Sequence, residues 1–491
     1  MLKVAVPETI LVIVMFALLA ADFSMRDLEL YFRRVICGMI AGVGCLAAII
    51  WMFIAPATVS SFAGMFEADP LTQFVKIGIV ALTLFTVLMS IESDFTEHVG
   101  EYLALILLAT IGMMFLVSSE DLLMIFVSLE LTSLSLYILT AFNKRNIKSA
   151  EAALKYFLFG GMAAAFTLFG LSLVYGLSGA TNLRAIGEAL KNTGLDPLLA
   201  VAIVMVVIGF GFKVAAVPFH LWAPDAYEGA PTPSAALIAS GSKVASFFIF
   251  AKVMILGFAG AEGSAAWRNY SSGWLPVIAV TSGLSMVLGN LAAIVQSSVR
   301  RLLAYSAIAH AGYLLLAVMS RSGPGVAALV YYALTYGLTT VGAFGVVAVV
   351  EQGTGGEKLS NFAGLSRRAP VASFCMMIFM LSLAGIPPLA GFFGKFYIFA
   401  AALKTGAPDL GLLWLVVLAI AMSAVSLYYY LQVLKQIYVA NPPTGASPLK
   451  VPVLNQIVLA VLAFAVILFG CAPALILNCL ESAMRVVGFS N

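Results

Sequence analysis

The chain has 491 residues, of which 62% are hydrophobic and 10% charged, against about 25% charged in an ordinary soluble domain. No stretch is long and polar enough to fold as a separate soluble domain, and a net charge of +3 is too small for a nucleic-acid-binding surface. The five cysteines (Cys37, Cys45, Cys375, Cys471 and Cys479) are scattered and form no Cys-x-x-Cys, so neither an iron–sulfur cluster nor a zinc site is indicated.

Apolar runs of eighteen residues or more recur along the whole chain, each long enough to cross about 30 Å of hydrocarbon. The expected fold class is an all-α polytopic membrane protein of about fourteen transmembrane helices. The spans fall near 4–21, 35–55, 72–91, 101–119, 121–141, 153–177, 197–220, 232–258, 275–295, 302–320, 325–350, 370–403, 410–438 and 453–476. The first run has one early lysine and no A-x-A cleavage site, so it reads as a retained helix rather than a signal peptide. The chain divides into a three-helix segment (1–100), a five-helix unit (101–258), a second five-helix unit (275–438) and a last span (453–476).

Cations set the orientation. The loops after odd-numbered spans carry Arg26, Arg33, Arg34, Lys144, Arg145, Lys148, Arg300, Arg301, Lys358, Arg367, Arg368, Lys435 and Lys450, thirteen in all. The termini and even loops carry seven: Lys3, Arg184, Lys191, Arg268, Arg321, Lys404 and Arg485. By the positive-inside rule the odd loops face the cytoplasm and both termini face away from it.

Of the 26 Lys and Arg residues, six remain, and all are lysines within apolar segments: Lys76, Lys155, Lys213, Lys243, Lys252 and Lys395. A charge at the centre of a bilayer costs roughly 2.5–3.5 kcal/mol on insertion scales. A lysine can deprotonate when desolvated, whereas an arginine cannot, so a set made of the titratable cation favours proton transfer over static pairing. Lys76 and Lys252 lie near span ends, where a lysine is expected to snorkel to the interface. Glu130, in span 5, reads as the one acid well inside the spans and is expected to pair with Lys213. Asp225 and Glu228 follow span 7, either as a proton uptake point or simply solvated.

Two spans carry helix breakers beside a lysine. Gly209-Phe-Gly-Phe-Lys-Val-Ala-Ala-Val-Pro-Phe-His places Pro218 between Lys213 and His220. Gly385-Ile-Pro-Pro-Leu-Ala-Gly-Phe-Phe-Gly-Lys places a double proline before Lys395. Proline removes a donor and clashes with the preceding turn, and broken backbone at membrane depth persists only where it is enclosed by protein or lines a wet cavity. An internal repeat is also suggested. Ala152-Ala-Leu-Lys-Tyr-Phe-Leu-Phe resembles Ala327-Ala-Leu-Val-Tyr-Tyr-Ala-Leu, and Glu130 precedes Lys213 by 213 − 130 = 83 residues much as His310 precedes Lys395 by 395 − 310 = 85. An odd number of spans between the copies inverts the second across the membrane, a recurring transporter design.

The run Lys213 to Pro233, with its His-Leu-Trp-Ala-Pro-Asp block, resembles the signature of the antiporter-like subunits of respiratory complex I, the proton-pumping NADH–quinone oxidoreductase. Ser128-Leu-Glu-Leu, Leu154-Lys-Tyr-Phe, Tyr305-Ser-Ala-Ile-Ala-His-Ala-Gly-Tyr and the Gly385–Lys395 stretch match it too, so the resemblance covers nearly the whole chain. A lysine at 395 and an end after fourteen spans, without a long lateral helix, resemble the subunit N branch more than subunits M or L. The resemblance implies two inverted five-helix bundles with helices 7 and 12 broken, within a larger membrane arm. It also implies a proton path through Glu130, Lys155, Lys213, His220, Lys243 and Lys395, to which His310 adds a relay.

The expected function is that of a membrane-arm subunit of a bacterial inner-membrane translocase, with no redox site, cofactor or metal of its own. NADH, flavin, iron–sulfur clusters and quinone are expected in partner subunits. Subunit M and the small subunits A, J and K are expected beside it in the lipid bilayer. Moving a proton against 100 mV costs about 2.3 kcal/mol, and no nucleotide loop supplies it: Gly353-Thr-Gly-Gly-Glu-Lys fits neither phosphate-loop spacing. The alternative reading is an Mrp-type Na⁺/H⁺ antiporter subunit without redox coupling. A further alternative treats the buried charges as structural ion pairs.

Overall fold

The computed structural model describes residues 5–55, 60–62, 64–191, 194–404, 410–443 and 447–487; Lys3 lies outside them. The chain opens with α1 (Val6–Ser24), α2 (Leu30–Ile54) and α3 (Pro70–Ile91), then α4 (Val99–Ser118), α5 (Leu122–Thr140) and the long α6 (Ile147–Ser178). After the short α7 (Leu183–Leu190), α8 (Pro197–Val214) and α9 (Trp222–Gly229) form the two arms of one broken crossing. The next crossing is also in two arms, α10 (Thr232–Ala239) and α11 (Gly241–Lys252), and continues into a π-helical turn at Val253–Gly257. α12 (Trp274–Ile294), α13 (Val299–Met319) and α14 (Gly323–Thr354) follow, then the single turn α15 (Leu365–Arg368). α16 (Pro370–Ala384) and α17 (Ala390–Lys404) are the second broken crossing, and α18 (Leu413–Tyr438), α19 (Val453–Cys471) and α20 (Ala474–Val487) end the chain.

Thirteen helices of the described residues, counting Thr232–Gly257 as one, are long and apolar enough to cross a membrane. The α16–α17 pair supplies the fourteenth crossing that the apolar pattern predicts. α13 and α14 are buried along almost their whole length and form the core, whereas most of α6 faces outward. Two elements differ from the sequence expectation. The last span stops at Cys471, because Pro473 disfavours helix in the residue before it, and α20 then packs on α14 and α3. The segment after span 6 holds α7, an amphipathic helix burying Leu183, Ile186, Gly187 and Leu190 at i, i+3, i+4 and i+7.

The two loop sets expected on opposite faces do gather separately. The hairpin β1 (Ser60–Phe62) and β2 (Phe66–Ala68) meets the α4–α5 link through Phe66 and Ser119, and Asp121 bridges to Asn182 before α7. The cation-rich loops meet through Ser298 and Lys358 and through the Lys148–Glu228 ion pair.

The five-helix repeat is visible in matched caps. α6 and α14 are both 32 residues long. They start after Asn146 and Ser322, and end on left-handed Gly179 and Gly355, each pair 176 apart (322 − 146; 355 − 179). The breaks match at a spacing of 170: Ala215 and Gly385 are both left-handed, Ala216 N–H donates to Gly211 as Ile386 N–H does to Leu381, and the Val217–Pro218 and Pro387–Pro388 bonds are both cis. At these spacings Lys213 corresponds to Leu383 (213 + 170) and Lys395 to Asp225 (395 − 170), so the two lysines lie on opposite arms of their broken helices. The helix caps Asp121 and Ser298, 177 apart, align His310 with Ser133 rather than with Glu130. The near-equal separations of 83 and 85 are therefore not the register of the repeat.

The N-terminal helices correct two expectations. Lys76 does not snorkel: it is buried on α3 and forms a 2.6 Å ion pair with Glu8 of α1, which is itself 1% exposed. Glu8 is thus a second acid inside the spans. Asp22, also buried, is paired with Arg33 at 2.9 Å. Removing one member of a buried ion pair strands the other, at a typical cost of about 3–5 kcal/mol, while replacing both with apolar groups is often close to neutral. Glu8→Ala is therefore expected to lower the thermal unfolding midpoint of the purified protein more than the double variant Glu8→Leu/Lys76→Met; equal losses would show that the pair does not hold α1 to α3.

Candidate functional site: a line of buried lysines through broken helices

The first break is closed by side chains rather than left open. Trp222 Nε1 donates to the Phe212 carbonyl at 2.9 Å and Val217 N–H donates to Ser285 Oγ of α12 at 2.9 Å. Trp222 also stacks on Tyr156 of α6, with ring centroids 4.2 Å apart. This frame sets Lys213, buried, in the last turn of α8. Its ammonium lies 3.5 Å from Glu130 Oε1 on α5 and donates to Ser133 Oγ one turn along the same helix. The expected Glu130–Lys213 pair is present.

Lys155 stands apart from that pair. Its ammonium is partly exposed and bridges Asp225 at 2.8 Å and Glu151 at 2.7 Å. Arg301 binds Asp225 and Glu228 at 2.8 and 2.9 Å, and Lys148 holds Glu228 at 2.9 Å. Asp225 and Glu228 are thus ion-paired, not simply solvated. The network fastens α9 to α6 and α13 on the cation-rich face, beside a cavity of about 170 Å³. Arg300, expected in a loop, is buried as a clamp: its guanidinium donates to the Tyr227 and Ala230 carbonyls and faces Glu351 and Glu357. His220 lies half-buried in the break, and its hydrogen bonds and ion pairs reach neither Lys213 nor Lys243 among the described residues.

Lys243 occupies a break that proline signals do not reveal. Ser240 has φ −118° and ψ −84° between α10 and α11, so the helix is interrupted one turn before the lysine. A Ser-Gly pair is a known kink site, and Ser240-Gly241 was the available signal. Lys243 Nζ donates to the Ala307 carbonyl of α13 at 2.9 Å. One turn further on α13, His310 binds Tyr332 OH through Nδ1 at 2.6 Å and Tyr430 OH through Nε2 at 3.0 Å. Tyr430 also bonds Ser306 at 2.5 Å, and Tyr429 reaches Asn290, which donates to Tyr313. This set of buried tyrosine hydroxyls was not foreseen, because aromatic residues in an apolar span look the same whether they pack or bond.

Lys395 reaches back across the second break. Its ammonium donates to the carbonyls of Leu383 and Ala384, at 3.0 and 3.2 Å, and to Ser423 Oγ at 2.8 Å, and lies 5.1 Å from the Tyr313 ring. Leu383 is the repeat counterpart of Lys213. The Lys395 ammonium thus returns to the position whose repeat counterpart carries Lys213, although the two Cα atoms are on opposite arms. Among the described residues no carboxylate lies within ion-pair distance of Lys243 or Lys395.

α17 can approach α14 here because residue 394 is glycine: a Cβ there would collide with the Tyr332 ring. Overpacking of this kind costs about 1–3 kcal/mol. Gly394→Ala is expected to lower the thermal midpoint and to displace Tyr332 from His310; an unchanged midpoint would show that the contact has slack.

Comparison with known proteins agrees with this geometry. The family described as NADH:quinone oxidoreductase/Mrp antiporter, TM, matches residues 119–426. The chain is 51% identical to a protein named NADH-quinone oxidoreductase subunit N 2 from Acidobacterium capsulatum, over 98% of both chains. Its fold matches a chain of respiratory complex I from Thermus thermophilus with bound aureothin, with a TM-score of 0.79 and 33% identity, covering 96% of this chain and 99% of that one. A chain of the Mrp complex from Dietzia matches with a TM-score of 0.79 at 20% identity, covering 99% and 96%, and shares the fold. Broken helices around buried lysines define an antiporter-like membrane subunit, and the chain belongs to the NADH:quinone oxidoreductase/Mrp antiporter family. Within that family its likeness is to subunit N of NADH–quinone oxidoreductase.

Proposed function

We propose that this chain is a membrane-arm subunit of a bacterial NADH–quinone oxidoreductase that carries protons across the inner membrane along Glu130, Lys213, Lys243, His310 and Lys395. The observation that carries the reading is the contrast among the buried lysines. Lys213 has a carboxylate partner at 3.5 Å, whereas Lys243 and Lys395 rest on neutral carbonyl and hydroxyl oxygens. Desolvation penalises the charged form of a lysine and a nearby carboxylate restores it. A lysine held by Glu130 is kept loaded, and one without a counter-ion is readily emptied.

Glu130 and Lys213 then act as a switch: separating the pair lets Lys213 pass its proton inward. Lys243 is the central relay, joined through Ala307 to the helix that carries His310. The His310–Tyr332–Tyr430 cluster lies between Lys243 and Lys395, and Lys395 is the terminal donor of the second half. Lys155 holds α9, and so the far arm of the first break, through Asp225. His220 lines that break. Energy comes from the partner subunits, where NADH, flavin, iron–sulfur clusters and quinone do the redox work. Subunit M and the small subunits A, J and K are the proposed neighbours, and both termini face away from the cytoplasm.

Lys213→Ala and Lys395→Ala in the assembled complex, reconstituted in vesicles, test the reading. Each is expected to lower the number of protons moved per quinone reduced by the share this subunit carries, with no dependence on sodium. If both variants assemble and keep the wild-type ratio, the lysines are structural. Sodium-dependent exchange by the chain alone would favour an Mrp-type antiporter instead.

A further inference from the structure

Away from the line of lysines, four charged side chains from four different elements close a ring. Glu67 comes from β2, Glu120 from the α4–α5 link, Arg184 from α7 and Lys252 from the last turn of α11. Arg184 lies 3.5 Å from Glu67 Oε1 and 3.4 Å from Glu120 Oε2; Lys252 Nζ lies 3.1 Å from Glu120 Oε1 and 3.6 Å from Glu67 Oε2. Every carboxylate oxygen thus faces one cation, and the two carboxyl groups are within hydrogen-bonding reach of each other. Lys252 is therefore enclosed, not snorkelling to an interface as its position near the span end suggested. Glu120 is 6% exposed, and the contacts of its Oε1, of Glu67 Oε2 and of Lys252 Nζ lack hydrogen-bond geometry. These atoms border a cavity of about 20 Å³, room for one water molecule.

The neighbouring acids are already committed. Asp69 accepts from Thr72 N–H at 2.9 Å and from its hydroxyl at 2.5 Å, and Asp121 caps α5 at Leu123 and Met124. Two cations in the ring make it a poor site for a metal ion. Two carboxyl groups this close can take up a proton and share it between them. Burial and the bond to Glu120 push the Glu67 carboxyl above the ordinary carboxylate range. Burial also acts on Glu120, but the Glu67 bond and Lys252, with Arg184, outweigh it and hold that carboxyl low.

The ring lies on the face opposite the cation-rich loops. Lys252 is nine residues beyond Lys243 on one helix (252 − 243), about 13 Å along its axis. Directly after Lys252 the helix widens into the π turn Val253–Gly257, a feature frequent at functional sites. We propose that Glu67, Glu120, Arg184 and Lys252 form a proton-release group, taking protons from the lysine path along α11 and delivering them to the non-cytoplasmic side. The proposal rests on the proton-conducting reading above. One proton arrives and converts the Glu67 carboxylate to a carboxyl shared with Glu120; the same number leaves through the cavity to bulk water, restoring the carboxylate and a ring of zero net charge.

The test uses the intact complex in liposomes, with the pH on the ring's side varied and quinone reduction followed alongside. Wild-type proton transfer is expected to decline as that pH falls through an inflection above the ordinary carboxylate range, since acid keeps Glu67 protonated. Glu67→Gln is expected to abolish this inflection and Glu120→Gln to move it to lower pH, because both the bond and the negative charge that raise Glu67 are lost. If the Glu67 variant does not assemble, Glu120→Gln decides the matter: an unmoved inflection overturns the proposal. Lys213→Ala separates the two levels. If it lowers the proton ratio by this subunit's share while Glu67→Gln keeps the wild-type inflection, the ring is structural and the lysine path stands; if it leaves the ratio intact, the path and the release group fall together.

Discussion

The constraint on which the structure depends is that a lysine ammonium inside a membrane must find oxygen. The two broken helices meet it in complementary ways. At the first break the lysine lies just before the interruption, and a carboxylate and a hydroxyl on the neighbouring helix receive it. At the second the lysine lies beyond the interruption and turns back onto two carbonyls that the break frees from their helical partners. Unsatisfied backbone in hydrocarbon costs several kcal/mol per group. At the second break the freed carbonyls and the buried lysine thus offset each other, whereas at the first Trp222 bonds the freed Phe212 carbonyl and Ser285 the Val217 N–H, and the lysine turns to Glu130 and Ser133.

The same constraint shapes the rest of the bundle. The break at Ser240 places Lys243 where it can reach the Ala307 carbonyl, and α13 carries that carbonyl and His310 on one enclosed helix at the centre of the molecule. The peripheral charges follow a different rule. Glu8 with Lys76, Asp22 with Arg33, and Arg300 with Glu351 and Glu357 are paired acid to base. These pairs tie one helix to the next, whereas Lys243 and Lys395 rest on neutral oxygens. Lys395→Arg discriminates between these roles, because guanidinium keeps the charge and the donors but cannot give up its proton.

Much of this was legible in the sequence. Fourteen crossings followed from apolar run length, and the breaks from Pro218 and Pro387-Pro388, because proline acts locally and its effect does not depend on neighbours. The Glu130–Lys213 pair was foreseen because two opposite charges in hydrocarbon have few other partners. What was missed depended on three-dimensional proximity. Lys76 and Lys252 sit near span ends, where snorkelling is the ordinary outcome, and only the packed bundle shows Glu8 and Glu120 beside them. Lys155 reads as buried in an apolar run, yet its ammonium points to the edge of the bundle and binds Asp225. The repeat was recognisable but its register was not, because counting between charged residues assumed that both lysines stand on the same arm.

The measurement that tests the account most directly is proton transfer per quinone reduced in the assembled complex carrying Lys395→Arg. The account predicts that the complex assembles, since the charge and its carbonyl and Ser423 contacts can be kept, and that the ratio falls because the proton can no longer leave. A wild-type ratio in the assembled variant would contradict it and return Lys395 to the class of structural charges.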